Sequence, residues 1–261
     1  MSERRWVVVL GASSGFGEAA ARAYAAAGWD VFGVHLDRRQ GLAHVEEIVA
    51  AIRAGGGAAH FFNVNAADHD QRAETIAEMT RLAAGRPVGA LLHSLAFGTL
   101  KPYIADDPKE ALTPAQMDMT LDVMAHSLVY WVQDLLAGGL LAEGGHVFAM
   151  TSSGGHRIWK SYGAVSAAKA ALESHCRQLA VELVTRKIAV NAIRAGVTDT
   201  PALRKIPDNA AMIERCLAIH PAGRLTTPDD VARVIVALSK PETVWLSGNV
   251  LGVDGTEDVI G

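Results

Sequence analysis

The fold is decided by the stretch Trp6-Val7-Val8-Val9-Leu10-Gly11-Ala12-Ser13-Ser14-Gly15-Phe16-Gly17. Its apolar first half predicts a buried β-strand, and an alanine-rich helical pattern follows from Glu18 to Ala27. The glycine spacing GxxxGxG between them predicts a tight turn that points free backbone N–H groups and the positive end of a helix dipole at one spot. Because glycine also lets the backbone approach a pyrophosphate closely, the turn indicates an anion site. A turn that needs only positive φ would use glycine as well.

Short apolar runs alternate with longer helical patterns along the rest of the chain. They predict seven strands, at residues 6–10, 31–36, 59–64, 89–93, 145–150, 188–193 and 249–253. Short buried strands separated by helices of ten or more residues predict a parallel sheet with helices on both faces. Since no linker or internal repeat divides residues 1–261, we expect one α/β domain with a doubly wound sheet.

The composition argues against several classes of function. The formal net charge is −4 at pH 7 and there is no long basic block, so we expect no nucleic acid partner. Cys176 and Cys216 lie far apart and form no CxxC motif, which favours a reducing, cytoplasmic setting. The ten histidines form no HxxxH or Cys/His cluster, so we expect no metal site. No apolar stretch approaches the roughly 18 residues of a membrane span.

Two helix starts carry complete capping signals. Residues 113–116, Thr-Pro-Ala-Gln, combine an N-cap threonine, a proline at the first helical position and a glutamine at the third. Residues 227–230, Thr-Pro-Asp-Asp, repeat this arrangement with carboxylates near the positive end of the helix dipole. Gly138 and Gly139 are expected to end the first of these helical segments.

Tyr162 and Lys169 are the candidate chemical residues. Seven residues are close to two helical turns, so the two side chains are expected to share a face of a helix that runs to about Leu183. A free tyrosine has a pKa of about 10 and is a poor acid or base at neutral pH, and a fixed lysine cation lowers that pKa. The phenol can then donate to an oxygen that gains charge as hydride arrives. Taken alone, the same pattern is more often an amphipathic helix with a solvated lysine.

Together with the glycine turn, three features resemble the short-chain dehydrogenase/reductase family over nearly the whole chain. They are the Tyr162/Lys169 pair, the run Val190-Asn191-Ala192-Ile193 and the closing Val253-Asp254-Gly255. The resemblance implies a Rossmann-type fold, a nicotinamide cofactor and a homotetramer.

Four departures from most of that family are shared with enoyl-acyl-carrier-protein reductases. The lysine follows the tyrosine as Y-x6-K, with Ser166 where the lysine usually stands. The turn after the fourth strand is His-Ser-Leu-Ala-Phe at 93–97, and the central helix carries Asp122 followed by Ser127. Arg-Ala-Gly at 194–196 follows the sixth strand. The resemblance therefore implies hydride transfer to the β-carbon of a trans-2-enoyl thioester, carried by acyl carrier protein or coenzyme A.

The same resemblance implies roles for particular residues. Tyr162 would stabilise the enolate oxygen, and the segment after Thr200, including Leu203 and Ile206, would cover the substrate. The expected cofactor contacts are Gly11, Ser13, Ser14 and Phe16 at the diphosphate, Asn63 and Val64 at the adenine, Ser94 and Leu95 along the cleft, Lys169 at the nicotinamide ribose, and Val197 and Thr200 at the carboxamide.

One further departure leaves the reaction open. Many enoyl reductases carry a second active-site tyrosine ten residues before the first, and here that position is Ser152. Carbonyl-reducing relatives use a serine near the tyrosine to bind a ketone oxygen, so a carbonyl or 3-oxoacyl reductase is the alternative. The serines also suit a plain turn beside the glycines at 154–155. A third hypothesis is a non-catalytic NAD(P)-binding sensor, against which the retention of Tyr162 and Lys169 argues.

The segment after the second strand bears on the choice of cofactor. An acidic residue at that strand's end would bind the ribose diol and repel a 2′-phosphate, but Asp37 stands two positions late for this role. Arg38 and Arg39 suit a bidentate contact with the phosphate. The alternative is a solvated, charged loop, which would have the same sequence pattern. The turn itself has Ser14 where many NADPH users place an arginine. The sequence therefore favours NADPH, with NADH as the alternative.

Overall fold

Strand β1 (Trp6–Leu10) lies inside a seven-stranded sheet in the computed structural model, which describes residues 4–260. All neighbouring strands are parallel, and their order is β3-β2-β1-β4-β5-β6-β7. The other strands are β2 (Asp30–His35), β3 (Ala59–Asn63), β4 (Val88–His93), β5 (Leu141–Ser152), β6 (Ala189–Ala195) and β7 (Val250–Val253). The predicted doubly wound α/β architecture is confirmed.

Helices connect the strands. They are α1 (Gly15–Ala26), α2 (Leu42–Ala54), α3 (His69–Ala83), α4 (Pro114–Leu121), α5 (Ser127–Ala137), α6 (Gly163–Leu183), α7 (Asn209–Ile219) and α8 (Pro228–Leu238). A π-helical turn, Asp122–His126, joins α4 to α5 without a break. Both predicted capping boxes are present, at the starts of α4 and α8, and α5 ends at Ala137 with Gly138 as its C-cap, as predicted.

The core has two halves, one on each face of the sheet. Side chains alternate along β1, so Trp6, Val8 and Leu10 enter one hydrophobic cluster while Val7 and Val9 enter the other. The first cluster includes residues of α3, α5 and α6, and the second includes residues of α1, α2 and α8. Burial on both faces explains why these strands are continuous apolar runs in the sequence.

Most strand boundaries differ from the sequence-based prediction by one or two residues, and two element starts differ by more. Helix α1 begins at Gly15 instead of Glu18, so the last glycines of the turn belong to the helix. Strand β5 begins at Leu141 instead of Gly145, and its pairing with β4 shifts register between Val88 and Ala90. The shift accounts for the missed residues, because an irregular start gives no continuous apolar run.

The strand order fixes where a ligand can bind. It reverses between β1 and β4, and a crevice outside the carboxyl ends of such neighbouring strands is the usual ligand site of an open parallel sheet. The glycine turn follows β1 and Ser94 follows β4, so both stand at this crevice. Within residues 4–260, no helix is both long and apolar enough to cross a membrane.

Candidate active site

The glycine turn is held tightly between the neighbouring strands. Gly11 N–H donates to Val34 O at 2.8 Å, and Ser94 N–H donates to Leu10 O at 2.9 Å. Gly11 has a φ of +85°, and a Cβ added there would lie 2.4 Å from Ser94 O. A Cβ at Gly17 would lie 2.0 Å from Gly11 O. These positions therefore admit only glycine, because the obstructing atoms belong to the backbone.

The N-terminus of α1 faces this crevice without a side-chain cap. Ser14 is the N-cap residue and is exposed, and its hydroxyl makes no capping hydrogen bond. Ser13 and Phe16 are half-buried on either side of it. A Cβ added at Gly15 would lie 3.5 Å from Thr200 Cγ2, so the segment after β6 rests on the turn. The uncapped helix start, with its positive dipole, suits a diphosphate.

The end of the crevice where we expect the adenine is built from β2 and β3. Asn63 accepts a hydrogen bond from Asp37 N–H and donates one to Asp37 O, both at 3.0 Å. The Asp37 carboxylate contacts His35 Nδ1 at 2.9 Å. Arg38 and Arg39 follow with exposed side chains. Asp37 is therefore held back against the strand ends, and the two arginines face solvent beside them.

Leu95 and Val64 line the crevice between these two ends. Leu95 Cδ2 would lie 3.6 Å from a Cβ at Gly11, and both Leu95 and Ser94 are half-buried. Val64 N–H donates to His35 O at 2.9 Å, and its side chain packs against the core. The structure thus gathers the residues expected at the diphosphate, the adenine and the cleft along one edge of the sheet.

Lys169 is a buried lysine on α6. Its side chain reaches β5, where Nζ donates to Met150 O at 2.7 Å. Burial lowers the pKa of Lys169 to about 8, and Glu173 opposes this shift. The ammonium group is therefore close to its titration range at physiological pH. This excludes the alternative of a solvated lysine on an amphipathic helix.

Tyr162 is the N-cap residue of α6 and not part of the helix proper. Ser161 before it has a left-handed φ of +59°, which turns the chain into the helix. The phenol ring packs on Gly154, where a Cβ would lie 2.5 Å from the ring. The phenol is thus fixed between the start of α6 and the turn after β5.

The direction of the Tyr162 pKa corrects a sequence-based expectation. Burial raises the pKa of Tyr162 and the nearby Ser152 side chain opposes this rise, whereas we expected Lys169 to lower the pKa. The reason is that the Lys169 ammonium is bonded to Met150 O while the phenol is desolvated. A raised pKa keeps the phenol protonated, which suits a hydrogen-bond donor to a developing oxyanion.

Ser152 carries an unsatisfied hydroxyl at the same place. Its Oγ is buried and has no well-formed hydrogen bond to any residue from 4 to 260. It is 3.2 Å from the position of a Cβ at Gly154, the residue on which Tyr162 packs. A buried polar atom without a partner costs free energy, and such atoms at clefts commonly await a ligand.

Behind the lysine lies a second buried polar pair, His93 and Ser127. His93 Nε2 contacts Ser127 Oγ at 2.8 Å, and Ser127 Oγ donates to Val123 O. Since the serine proton is already used, His93 donates from Nε2 and is neutral with a bare Nδ1. Burial, followed by the charge of Lys169, lowers the pKa of His93 to about 3. The π-helical turn is what brings Ser127 into this position, and such turns are frequent at functional sites.

A cleft of about 160 Å³ opens between the turn after β5, the segment after β6 and α7. Ser153 and Trp159 after β5, Val197 after β6, and Met212 and Ile219 on α7 are among its lining residues. Its walls therefore include apolar side chains suited to an acyl group.

The lining of this cleft includes residues outside the sequence-based prediction. Leu203 and Ile206, which we expect over the substrate, do not line it, and several of its residues come from α7. Glu257, near the C-terminus, also lines the cleft and was not foreseen. It accepts a hydrogen bond from Val197 N–H at 2.8 Å, so a cofactor contact of Val197 would need another of its atoms. No local pattern marks Glu257, because its partners are distant in the sequence.

These residues fit a nicotinamide cofactor. The crevice has a glycine cradle that a Cβ would fill and an uncapped helix N-terminus, and α6 supplies a buried lysine and a phenol at its own start. Within the described range 4–260, no group of three or more His, Cys, Asp or Glu is arranged to hold a metal ion. The chemistry that the arrangement supports is hydride transfer with hydrogen-bond stabilisation of an oxygen.

Known proteins are similar to this chain in sequence and in fold. The family described as Enoyl-(Acyl carrier protein) reductase matches residues 11–255. Protein FixR of Bradyrhizobium diazoefficiens is 31% identical over 258 residues, 97% of this chain and 86% of that protein. An enoyl-[acyl-carrier-protein] reductase [NADH] of Nostoc is 30% identical, covering 74% of this chain and 73% of its own.

Other relatives are named for different activities. A 3-oxoacyl-[acyl-carrier-protein] reductase of Aggregatibacter actinomycetemcomitans is 26% identical, covering 95% of this chain and 97% of its own. The crystal structure of a short-chain dehydrogenase of Burkholderia cenocepacia in complex with NADP superposes with a TM-score of 0.82, at 26% identity over 98% of both chains. The chain therefore belongs to the enoyl-(acyl carrier protein) reductase family of short-chain dehydrogenases/reductases, and it is an oxidoreductase.

Proposed function

We propose that this oxidoreductase uses NAD(P)H to reduce the C2–C3 double bond of an enoyl thioester. The observation that carries the proposal is the Tyr162 phenol at the start of α6, seven residues before the buried Lys169. This spacing is the one found in enoyl reductases. The family match over residues 11–255 and the cleft with apolar side chains from α7 support it further.

The protein's own residues would act as follows. The bound cofactor supplies the hydride. Tyr162 donates a hydrogen bond to the thioester oxygen as that oxygen gains negative charge, and the positive end of the α6 dipole lies at the same point. Lys169 binds the ribose hydroxyls. The apolar side chains of the cleft would limit the access of water to the enolate, and the α-carbon would be protonated from solvent.

A paired substrate assay tests the reaction. We expect crotonyl thioester to oxidise NADPH faster than acetoacetyl thioester does, measured as loss of NADPH absorbance. Tyr162→Phe should lower kcat by about 100-fold or more, because the oxyanion loses its donor, and leave the cofactor Kd unchanged. Tyr130→Phe on α5 is the matched control and should keep the wild-type kcat. Full activity in Tyr162→Phe would remove the phenol from the mechanism.

A carbonyl or 3-oxoacyl reductase is the second candidate. The unpartnered, buried Ser152 hydroxyl favours it, because a ketone oxygen between Ser152 and Tyr162 would satisfy both groups. The similarity to a 3-oxoacyl-[acyl-carrier-protein] reductase supports it as well. In the paired assay, faster turnover of acetoacetyl thioester would replace the enoyl proposal with this one.

NADPH is the proposed cofactor, with NADH as the alternative. The exposed Arg38 and Arg39 side chains stand beside the crevice and suit the 2′-phosphate. Replacing both with alanine should raise the KM for NADPH about tenfold, because charge-assisted hydrogen bonds are lost, and leave the KM for NADH within about twofold. Arg186→Ala, an exposed arginine after α6, is the control. Equal effects on both cofactors would contradict the role of these arginines.

Family membership is the basis for proposing the carrier of the acyl substrate and the oligomeric state of the protein. We propose an acyl thioester on acyl carrier protein as the substrate and a homotetramer as the assembly in a cytoplasmic setting. The enoyl and 3-oxoacyl reductases named above support the carrier, since both act on acyl-carrier-protein thioesters by name. Sedimentation of the purified chain measures its assembly, and a monomer would contradict that part.

A further inference from the structure

The C-terminal segment Asp254–Asp258, which the proposed function does not use, contacts three parts of the cleft wall. Glu257 is only 7% exposed, and its Oε2 accepts hydrogen bonds from Val197 N–H at 2.8 Å and from Cys216 Sγ at 3.2 Å. Both donors line the cleft, Val197 from the segment after β6 and Cys216 from α7. One carboxylate oxygen thus joins the two walls. Removing a carboxylate from water costs free energy unless such donors compensate it.

Neighbouring residues anchor the same segment. Asp258 is paired with Arg157 after β5, at 3.2 Å, and with Arg194 on β6, at 3.1 Å. His220, just after α7, contacts Asp254 O through Nε2 at 3.0 Å. The segment is therefore held on both sides of Glu257, which fixes the direction of the carboxylate.

Packing leaves the carboxylate no room to shift. A Cβ added at Gly196 would lie 2.8 Å from Glu257 Oε2 and 2.4 Å from Thr226 Oγ1, so the carboxylate rests directly on the backbone after β6. That stretch of backbone continues to Thr200, which rests on Gly15 in the glycine turn. A displacement at Glu257 would pass along this short, packed stretch to the cofactor crevice.

We propose that Glu257 is a positioning residue, which holds the segment after β6 against α7 and so sets the geometry of the cofactor crevice and of the acyl cleft together. The proposal rests on the site being the cofactor site. The proposal predicts that the cofactor binds more weakly when the carboxylate is removed. It also predicts little change in kcat, because Glu257 does not touch the reacting atoms.

Two variants of Glu257 separate positioning from general stability. Glu257→Ala should raise the cofactor Kd and KM about tenfold, as expected for losing a charge-assisted hydrogen bond, and change kcat at saturating cofactor less than about threefold. Glu257→Gln keeps an acceptor oxygen and should restore Kd to within about threefold of the wild-type value. Glu242→Ala, exposed beside the amino end of β5, is the matched control and should leave the wild-type Kd.

A pair of variants at Cys216 tests the α7 contact alone and serves if Glu257→Ala does not fold. Cys216→Ala removes the donor and should raise the KM for the acyl substrate about threefold without changing the cofactor Kd, whereas Cys216→Ser keeps a donor and the wild-type KM. The proposal is overturned if Glu257→Ala keeps the wild-type cofactor Kd, if Glu257→Gln binds as poorly as Glu257→Ala, or if Cys216→Ala keeps the wild-type KM.

Cofactor binding is measured by titration of the folded protein, independently of turnover. Absence of turnover with both thioesters in the wild-type protein would contradict the proposed reaction and leave the Kd comparison intact. Failure of the two proposals is therefore distinguishable.

Discussion

Lys169 shows at the scale of one residue how burial changes the pKa of a side chain. Its aliphatic stem crosses from α6 to β5 within the core, and its only hydrogen bond within residues 4–260 goes to the carbonyl of Met150. A buried ammonium group loses hydration, so the charged form is held less firmly than in water. The residue that we propose to bind the cofactor therefore changes charge near a pH of about 8.

A pH profile tests this property of Lys169. With its pKa lowered to about 8, the free protein carries a neutral amine above that pH, so kcat/KM should fall by about tenfold for each further pH unit. Lys169→Arg stays charged and should move this falling limb to higher pH, at reduced activity. Lys160→Arg, exposed close to Tyr162, is the control and should keep the wild-type profile. A flat wild-type profile up to pH 10 would contradict the assignment.

At the scale of elements, the turn between β1 and α1 needs glycine for two reasons. Gly11 has a positive φ, and its Cα lies close to the backbone of Ser94. Gly11 and Gly28 both have positive φ, +85° and +87°, and both stand at the ends of regular elements. A Cβ at Gly11 meets the backbone after β4, whereas a Cβ at Gly28 meets nothing within 4 Å. The two glycines therefore separate conformational strain from steric overlap.

Alanine at these two glycines should have different effects. Gly28→Ala should lower the free energy of unfolding by about 1–2 kcal/mol, the cost of a left-handed alanine, and leave the cofactor Kd unchanged. Gly11→Ala should lower the free energy of unfolding by the same amount and also push the turn away from Ser94. The displaced turn should raise the cofactor Kd more than tenfold or prevent folding. Thermal unfolding and cofactor titration measure the two effects. Equal behaviour of the two variants would mean that the close approach at Gly11 has no consequence.

At the scale of the whole molecule, the parallel sheet buries polar groups along with its core. His93, Lys169 and Glu257 are all below 9% exposed, yet they come from β4, α6 and the C-terminal segment. His146, in the middle of β5, is buried as well, and burial lowers its pKa like that of His93. The folded chain thus holds histidines that resist protonation.

The stability of the molecule should consequently fall in acid. An unfolded histidine takes up a proton below a pH of about 6.5, but folded His93 has a pKa of about 3, so the unfolded state binds more protons between these values. The free energy of unfolding therefore decreases as the pH falls from about 6.5 to 4. We expect the unfolding midpoint of His93→Gln to change less over this interval than that of the wild type, by about 5 °C. His69→Gln, exposed on α3, is the control.

Much of the fold was predictable because its determinants are local. The β1 run, the glycine spacing and the capping residues at 113–116 and 227–230 act over a few residues, and all of them recur in the structure. The spacing of Tyr162 and Lys169 likewise needs only helical periodicity to be noticed. The misplaced boundaries, such as the start of β5, lie where pairing with β4 is irregular.

By itself the sequence determined the order of strands and helices, the anion turn and the tyrosine–lysine pair, since each is a pattern of neighbouring residues. Only the tertiary structure decided that Glu257 accepts from Val197, 60 positions earlier, and that His93 pairs with Ser127, 34 positions later. The direction of the Tyr162 pKa was decided there too, because it depends on burial. The physical reason is that the sheet order brings the carboxyl ends of separate strands to one edge, and which loops meet there depends on packing of the whole chain.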